Sequence, residues 1–302
     1  MYRTLVIVRY TFLEAVLQPI YSLLLTLGAA IIVIFAMLPF FTLGEDTKMF
    51  KSVGLDVILL LVLLATLFAT SKSIFDEIED RTMLTLMSKP VQRWEVMVGK
   101  YLGIISAAAL GVGLLGIVLI LGTYYRIPTD YMLNSSSLND LVRNQVSDLR
   151  WAHIVGLVPQ LTLTWLQISV LAAIGVALST RFSLVVNMPT VILLYLAGNL
   201  TKYLMPISTG PLKDKSFVLK WFAYIISTLL PYLGNFDMKE AALFATIKVS
   251  GTAYANDPRG ITPAALWGYV GIAALYAIAY AFFALSAGMW SFQTRELGGG
   301  EG

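Results

Sequence analysis

The chain has 302 residues, 58% of them hydrophobic and 13% charged, with a formal net charge of +3 and a mean hydropathy of +0.77. A soluble domain carries about 25% charged residues, so this chain cannot cover a water-facing surface and its main solvent is lipid. The charge is scattered, with no basic stripe for nucleic acid. The absence of cysteine rules out disulfides, thiolate chemistry and iron–sulfur ligation.

Residues 2–18 place Leu5, Val8, Phe12, Ala15 and Val16 at helical spacing, with Arg3, Arg9 and Glu14 between them. This predicts a helix lying at the membrane surface before Pro19 turns the chain inward; an irregular tail is the competing reading. The three charges make this stretch a poor cleavable leader, so the apolar run after it is expected to stay in the mature chain.

A spanning helix needs about 20 apolar residues. Six runs meet or approach that length: 20–41, 54–70, 101–124, 154–178, 184–204 and 264–290. Lipid offers nothing to an unpaired backbone group, so helices are expected, and the alternation of a membrane β-barrel is absent. The expected fold is all-α, a polytopic bundle of six spans forming one domain over residues 1–302. A short loop after the first span carries Glu45, Asp46, Lys48 and Lys51, and a long polar loop joins the third span to the fourth. Residues 217–233 are short for a span and contain Lys220 and Pro231. They read as an interfacial or re-entrant helix, with a seventh span as the alternative.

Between Lys72 and Lys100 stand ten charges, five of each sign. One Asp, Lys or Arg at a bilayer centre costs about 2.5–3.5 kcal/mol, so this stretch must enter water or be buried against protein. Its first part continues the second span as a helix. Lys89 precedes Pro90 and is pushed towards extended geometry, and Pro90 suits the first turn of a new helix. The result is a helical hairpin over 72–100. Met83, Leu84, Leu86 and Met87 give it an apolar surface ringed by charge, which suits protein docking or folding back onto the bundle. Basic residues near the span ends place both termini and this hairpin in the cytoplasm.

The order Glu77-x-Glu79-x-Arg81-Thr82, then Ser88-x-Pro90-Val91-x-Arg93-x-Glu95, then Gly99-Lys100, resembles the signature of ABC-2 type permeases. It is similar to the branch associated with copper delivery to nitrous oxide reductase. The likeness extends to the N-terminal helix, the six spans, the segment "LLPYLGNFDM" and the charged "FQTREL" end. The loop over 125–153 and the region 205–260 depart from that pattern. The resemblance implies a permease in the cytoplasmic membrane of a bacterial-type cell, working as a homodimer with two copies of an ABC ATPase subunit, by alternating access and in the direction of export. It implies that Asp76, Glu77, Glu79, Arg81 and Thr82 face or brace the ATPase contact. Pro90, Arg93 and Glu95 would shape the second arm, and Gly99 and Lys100 its join to the third span.

No phosphate loop of the form Gly-x-x-x-x-Gly-Lys-Ser/Thr is present, because Tyr101 follows Gly99-Lys100. The chain is therefore expected to be no enzyme and to hold no cofactor, with ATP and magnesium in the partner. A single histidine, His153, rules out two-histidine metal motifs, and beside Trp151 it reads as an interfacial anchor. No metal site is expected. Gly99, Gly103, Ala107 and Gly111 form a row of small residues for close helix packing. Gln160, Thr164 and Gln167 on the fourth span and Asn187 on the fifth are polar at membrane depth; they line a substrate route or bond between helices. The resemblance adds weight to Asn187 as a cavity residue. An ATP-independent carrier and a scaffold that docks a cytoplasmic protein are the rival functions.

Single cysteines at Ser88 and Ser136 test the topology, since the chain has no native thiol. A membrane-impermeant reagent is expected to reach them from opposite sides, and labelling of both from one side would reject six spans with both termini inside.

Overall fold

The computed structural model describes residues 2–38, 46–79, 92–132, 140–204, 221, 230–243, 247–248 and 260–294. Its helices are α1 (Tyr2–Leu17), α2 (Pro19–Met37), α3 (Asp46–Glu79), α4 (Arg93–Met132), α5 (Asp140–Leu178), α6 (Leu184–Leu204), the short α7 (Lys239–Leu243) and α8 (Pro263–Gln293). A 3₁₀ turn covers Leu233–Phe236, and one isolated bridge joins Ile247 to Ile261. Six of the described helices are long and apolar enough to cross a membrane: Pro19–Met37, Thr47–Lys72, Arg93–Arg126, His153–Leu178, Leu184–Thr201 and Pro263–Gln293.

These helices start and stop for local reasons. Gln18 is extended because Pro19 follows it, and Pro19 then fills the first turn of α2, where no amide donor is needed. Thr262 caps α8, its hydroxyl accepting from the Ala265 amide, with Pro263 again in the first turn. The loop expected around Asp46 to Lys51 is instead the first turn and a half of α3. The long polar loop is likewise mostly helix: α4 continues to Met132 and α5 begins at Asp140, leaving 133–139 between them. At 1.5 Å per residue α3 and α4 are about 50 and 60 Å long, well beyond the roughly 30 Å of hydrocarbon in a bilayer.

The bundle is packed inside out relative to a soluble protein. Along the middle of α8 the buried positions are the small Ala273, Ala277, Ala281, Ala284 and Gly288, with Leu266, Val270 and Phe292 buried nearer its ends, while Ile272, Leu275, Phe282, Phe283 and Trp290 point outward. Water would penalise that arrangement, whereas lipid tails are as apolar as leucine and leave close backbone packing to hold the helices. Helices α3 and α5 are central, and α2, α6 and α8 present most of their surface outward. The core between them is aliphatic: Ile58, Val62 and Leu67 of α3 meet Leu115 and Leu119 of α4 and Leu163 and Leu171 of α5.

The small-residue row on α4 is used within the chain. Gly99 and Gly103 lie against α1, close to Ile7, Thr11 and the Val8 carbonyl, and Gly111 faces Tyr21 and Leu25 of α2 and Val62 of α3. Between those contacts Tyr21 donates to the Ala107 carbonyl at 2.8 Å. Gly288 does the same work for α8, where a Cβ would meet Met97 of α4 and lie 2.7 Å from the Ala177 backbone of α5.

A Cβ on Gly103 would lie 2.8 Å from the Val8 oxygen and 3.0 Å from the Phe12 nitrogen. Gly103→Ala is expected to push α1 off α4 and cost about 1–3 kcal/mol, read as a lower thermal midpoint in detergent. Gly113→Ala on the same helix, with nothing within 4 Å of the new methyl, is the control; it should hold or raise the midpoint.

Candidate functional site

The two arms of the charged hairpin are the end of α3 and the beginning of α4. Lys100 reaches across to Glu77 with Nζ 2.8 Å from Oε1, and the pair is mostly buried, the lysine side chain 4% exposed and the glutamate 30%. At the start of α4 the Glu95 carboxylate accepts from the Gln92 amide at 3.0 Å, so Glu95 closes the helix as a capping residue. Trp94 donates its indole proton to the Gln92 side chain. Gly99 sits mid-helix against α1 and Lys100 is held by Glu77, so this Gly-Lys pair is helix interior and not a phosphate-binding loop. Arg81, Thr82 and Pro90 lie outside the described residues, as do the side chains of Asp76 and Glu79.

Arg93 makes contacts that sequence could not foresee. Its Nη1 donates to the Phe292 carbonyl at 2.7 Å and to the Gln293 carbonyl at 3.2 Å, and its guanidinium stands 5.3 Å from the centre of the Phe292 ring. These are among the last four carbonyls of α8, which have no partner within their own helix. Arg181, in the tight turn between α5 and α6, closes on the same end. It donates to the Ser291 hydroxyl at 2.7 Å, the Ser291 carbonyl at 3.4 Å and the Thr294 hydroxyl at 2.6 Å. The end of α8 is thus gripped by the second hairpin arm and by the α5–α6 turn.

The opposite end of the bundle has its own polar ties. Arg126 donates to the Phe35 carbonyl at 2.6 Å and the Ala36 carbonyl at 3.3 Å, at the end of α2, with Phe50 beneath the guanidinium at 5.5 Å. His153, read from sequence as an interfacial anchor, places Nδ1 2.8 Å from the Nζ of fully buried Lys51. That contact ties α5 to α3, and its direction follows the tautomer of the imidazole.

The four polar span residues are all buried. Gln160 spends both ends of its amide on the segment 236–238. Its Nε2 donates to the Phe236 carbonyl at 3.3 Å, and its Oε1 accepts from the Met238 amide at 2.9 Å. Thr164 donates to the Gln160 carbonyl one turn back. Gln167 is buried within α5. Asn187 donates to the Gly175 carbonyl at 3.0 Å, leaving its buried Oδ1 without a hydrogen bond. The same terminal segment is held by an ion pair between Lys239 and Asp56, by Tyr269 donating to the Asn235 carbonyl at 2.9 Å, and by Tyr276 accepting from the Tyr232 amide at 2.8 Å. Of the residues 217–233, only Trp221 and 230–233 are described.

Among the described residues there is no group of three or more His, Cys, Asp or Glu side chains placed to hold a metal ion. What remains is a set of six apolar helices, with an ion pair joining α3 to α4 at one end and a tied segment at the other. A family model for ABC-2 family transporter proteins matches residues 34–297. The chain belongs to this family. A comparison with the curated proteins finds no match. As an ABC-2 family member with six membrane-capable helices, it is an integral membrane protein and the permease part of an ABC transporter. Within that permease, the charge density of 72–100 marked the stretch in which Glu77 and Lys100 pair. Sequence reasoning missed Arg181, Lys51, Asp56 and Lys239 as structural partners, because each contact joins residues far apart in the chain and no local pattern marks it.

Glu77→Gln is expected to destabilise by about 1–3 kcal/mol, below the 3–5 kcal/mol typical of a fully buried pair because the glutamate is partly exposed. The double variant Glu77→Gln/Lys100→Met should recover part of the loss in thermal midpoint. No recovery would mean that the two side chains do not act as a pair.

Proposed function

We propose that the chain is the permease of an ATP-driven exporter, working as a homodimer with two copies of a separate ABC ATPase. In this reading the hairpin over 72–100 faces the cytoplasm and docks the ATPase. ATP binding closes the two ATPases, the hairpin carries that movement into α3 and α4, and the spans shift about a cavity between the permease copies. Export is the direction that the family resemblance implies, and the order of charges in the hairpin supports placing the chain near the branch linked to nitrous oxide reductase.

The observation that carries the reading is the join between α3 and α4. Both helices are longer than a bilayer is thick, and the mostly buried Glu77–Lys100 pair fastens the end of one to the start of the other. An ion-paired join of this kind supports transmission of force from a soluble partner docked on the hairpin. The N-terminal helix fits the same membrane frame. Leu5, Tyr10 and Leu17 point away from the bundle with exposures of 65, 72 and 77%, while Ile7 and Thr11 meet α4. An apolar outer face on a helix carrying Arg3 and Arg9 supports placement in the interfacial layer of the membrane. The domain is read as one permease unit over residues 1–302, with Asp76, Glu79, Arg81, Thr82 and Pro90 contributing to the docking face and Asn187 to the cavity wall.

Arg81→Glu is expected to weaken co-purification of an ATPase by at least tenfold after gentle detergent extraction, with membrane insertion unchanged. Unaltered association would overturn the docking assignment, and full transport by the chain alone would overturn the ATP-driven reading.

A further inference from the structure

Helix α8 is tied at both of its functional ends by different parts of the chain. At one end Arg93 of the hairpin's second arm and Arg181 of the α5–α6 turn hold Ser291, Phe292, Gln293 and Thr294. The fit there is close, because Gly288 lies directly against Met97 and Ala177 one turn earlier. Towards the other end Tyr269 and Tyr276 hold the backbone of Asn235 and Tyr232, and Phe236 packs 5.9 Å from the Tyr276 ring. Between Tyr276 and Phe292 the helix is continuous and contains no proline. It covers about 24 Å at 1.5 Å per residue, most of the thickness of a bilayer core. The segment it holds is the one latched by Gln160 and, through Lys239, by Asp56.

We propose that Arg93 and Arg181 are positioning residues that couple the hairpin to the segment 232–238 through α8. A hydrogen-bonded helix is stiff along its axis, and its unsatisfied terminal carbonyls give a guanidinium a firm hold. When the second hairpin arm moves, the end of α8 moves with it, and the two tyrosines deliver that displacement to the 3₁₀ turn on the other side. Gln160 resists it from α5, which is not part of the hairpin, so the segment sits between a moving and a static tether. This deepens the reading of the hairpin as the driven element and rests on it for biological meaning, but the linkage itself is a property of this chain alone.

The test uses the full chain in lipid nanodiscs with no ATPase, so it stands apart from the docking experiment. Asn235→Cys supplies the probe; its side chain makes none of the bonds named above, and no native thiol competes. Arg93→Ala is expected to raise the rate of labelling by a water-soluble maleimide by about fivefold or more, the lower range of ordinary coupling between sites. Arg93→Lys, which keeps a cation at the helix end, should return the rate to within about twofold of the parent. In a Tyr269→Phe/Tyr276→Phe background Arg93→Ala should add less than about twofold, since the far tether is already released. Should Arg93→Ala fail to insert, Ser291→Ala removes the hydroxyl held by Arg181 and is judged on the same comparison. The proposal is overturned if the arginine-end variant leaves the rate within twofold while the tyrosine variants change it. It is equally overturned if its effect is undiminished in the tyrosine background, because the loosening is then general and does not pass through α8.

Discussion

Helix ends are the costly part of a bundle in lipid. The last four carbonyls of every helix have no intrahelical partner, and each must find one in water, in a side chain or in another part of the chain. This chain meets the problem with arginines: Arg181 of the α5–α6 turn reaches the Ser291 carbonyl, and two more come from one helix. Arg126, far along α4, serves the end of α2, and Arg93, at its start, serves the end of α8. In both places an aromatic ring lies beneath the guanidinium, Phe50 in one and Phe292 in the other. A fork of five donors can satisfy two carbonyls while its flat face rests on a ring, which a lysine cannot do. Helix α4 thereby ties the ends of α2 and α8, while the length of α8 packs chiefly on α5.

The remaining cohesion comes from closeness. Alanine and glycine on α4 and α8 bring backbones together, and larger apolar side chains are turned outward to lipid. Polar side chains then bond across the short gaps to backbone carbonyls: Tyr21 to Ala107, Trp165 to Ile105, Tyr101 to Ser169. Such contacts are individually worth about 1 kcal/mol in membranes. Their value is directional, since they fix which helix faces which.

The two ends of the molecule are held differently. At one end the Glu77–Lys100 pair joins the end of α3 to the start of α4, whose first turn Glu95 caps. At the other end the segment 230–243 sinks Leu233, Phe236 and Met238 into the main core and is tied by Gln160 of α5, by Asp56 of α3 through Lys239, and by two tyrosines of α8. Apolar burial holds that segment in place, and the polar ties fix its register against three helices.

Composition and run length by themselves determined that the chain is a helical membrane bundle with six helices apolar enough to cross, and where its charge concentrates. Those properties depend on transfer from water to lipid and on local periodicity, and both are written residue by residue. Spacing also marked the glycine and alanine rows as packing surfaces. Only the tertiary structure decided what each polar group does. Lys51 looked like a loop residue and is a buried partner of His153, Gln160 was open between lining a route and bonding between elements and bonds the backbone at Phe236 and Met238, and Arg93, read as shaping the second hairpin arm, also holds the end of the last helix. The reason is that a hydrogen bond is chosen by position in space, and partners such as Arg93 and Phe292, 199 residues apart, meet only after the helices have packed.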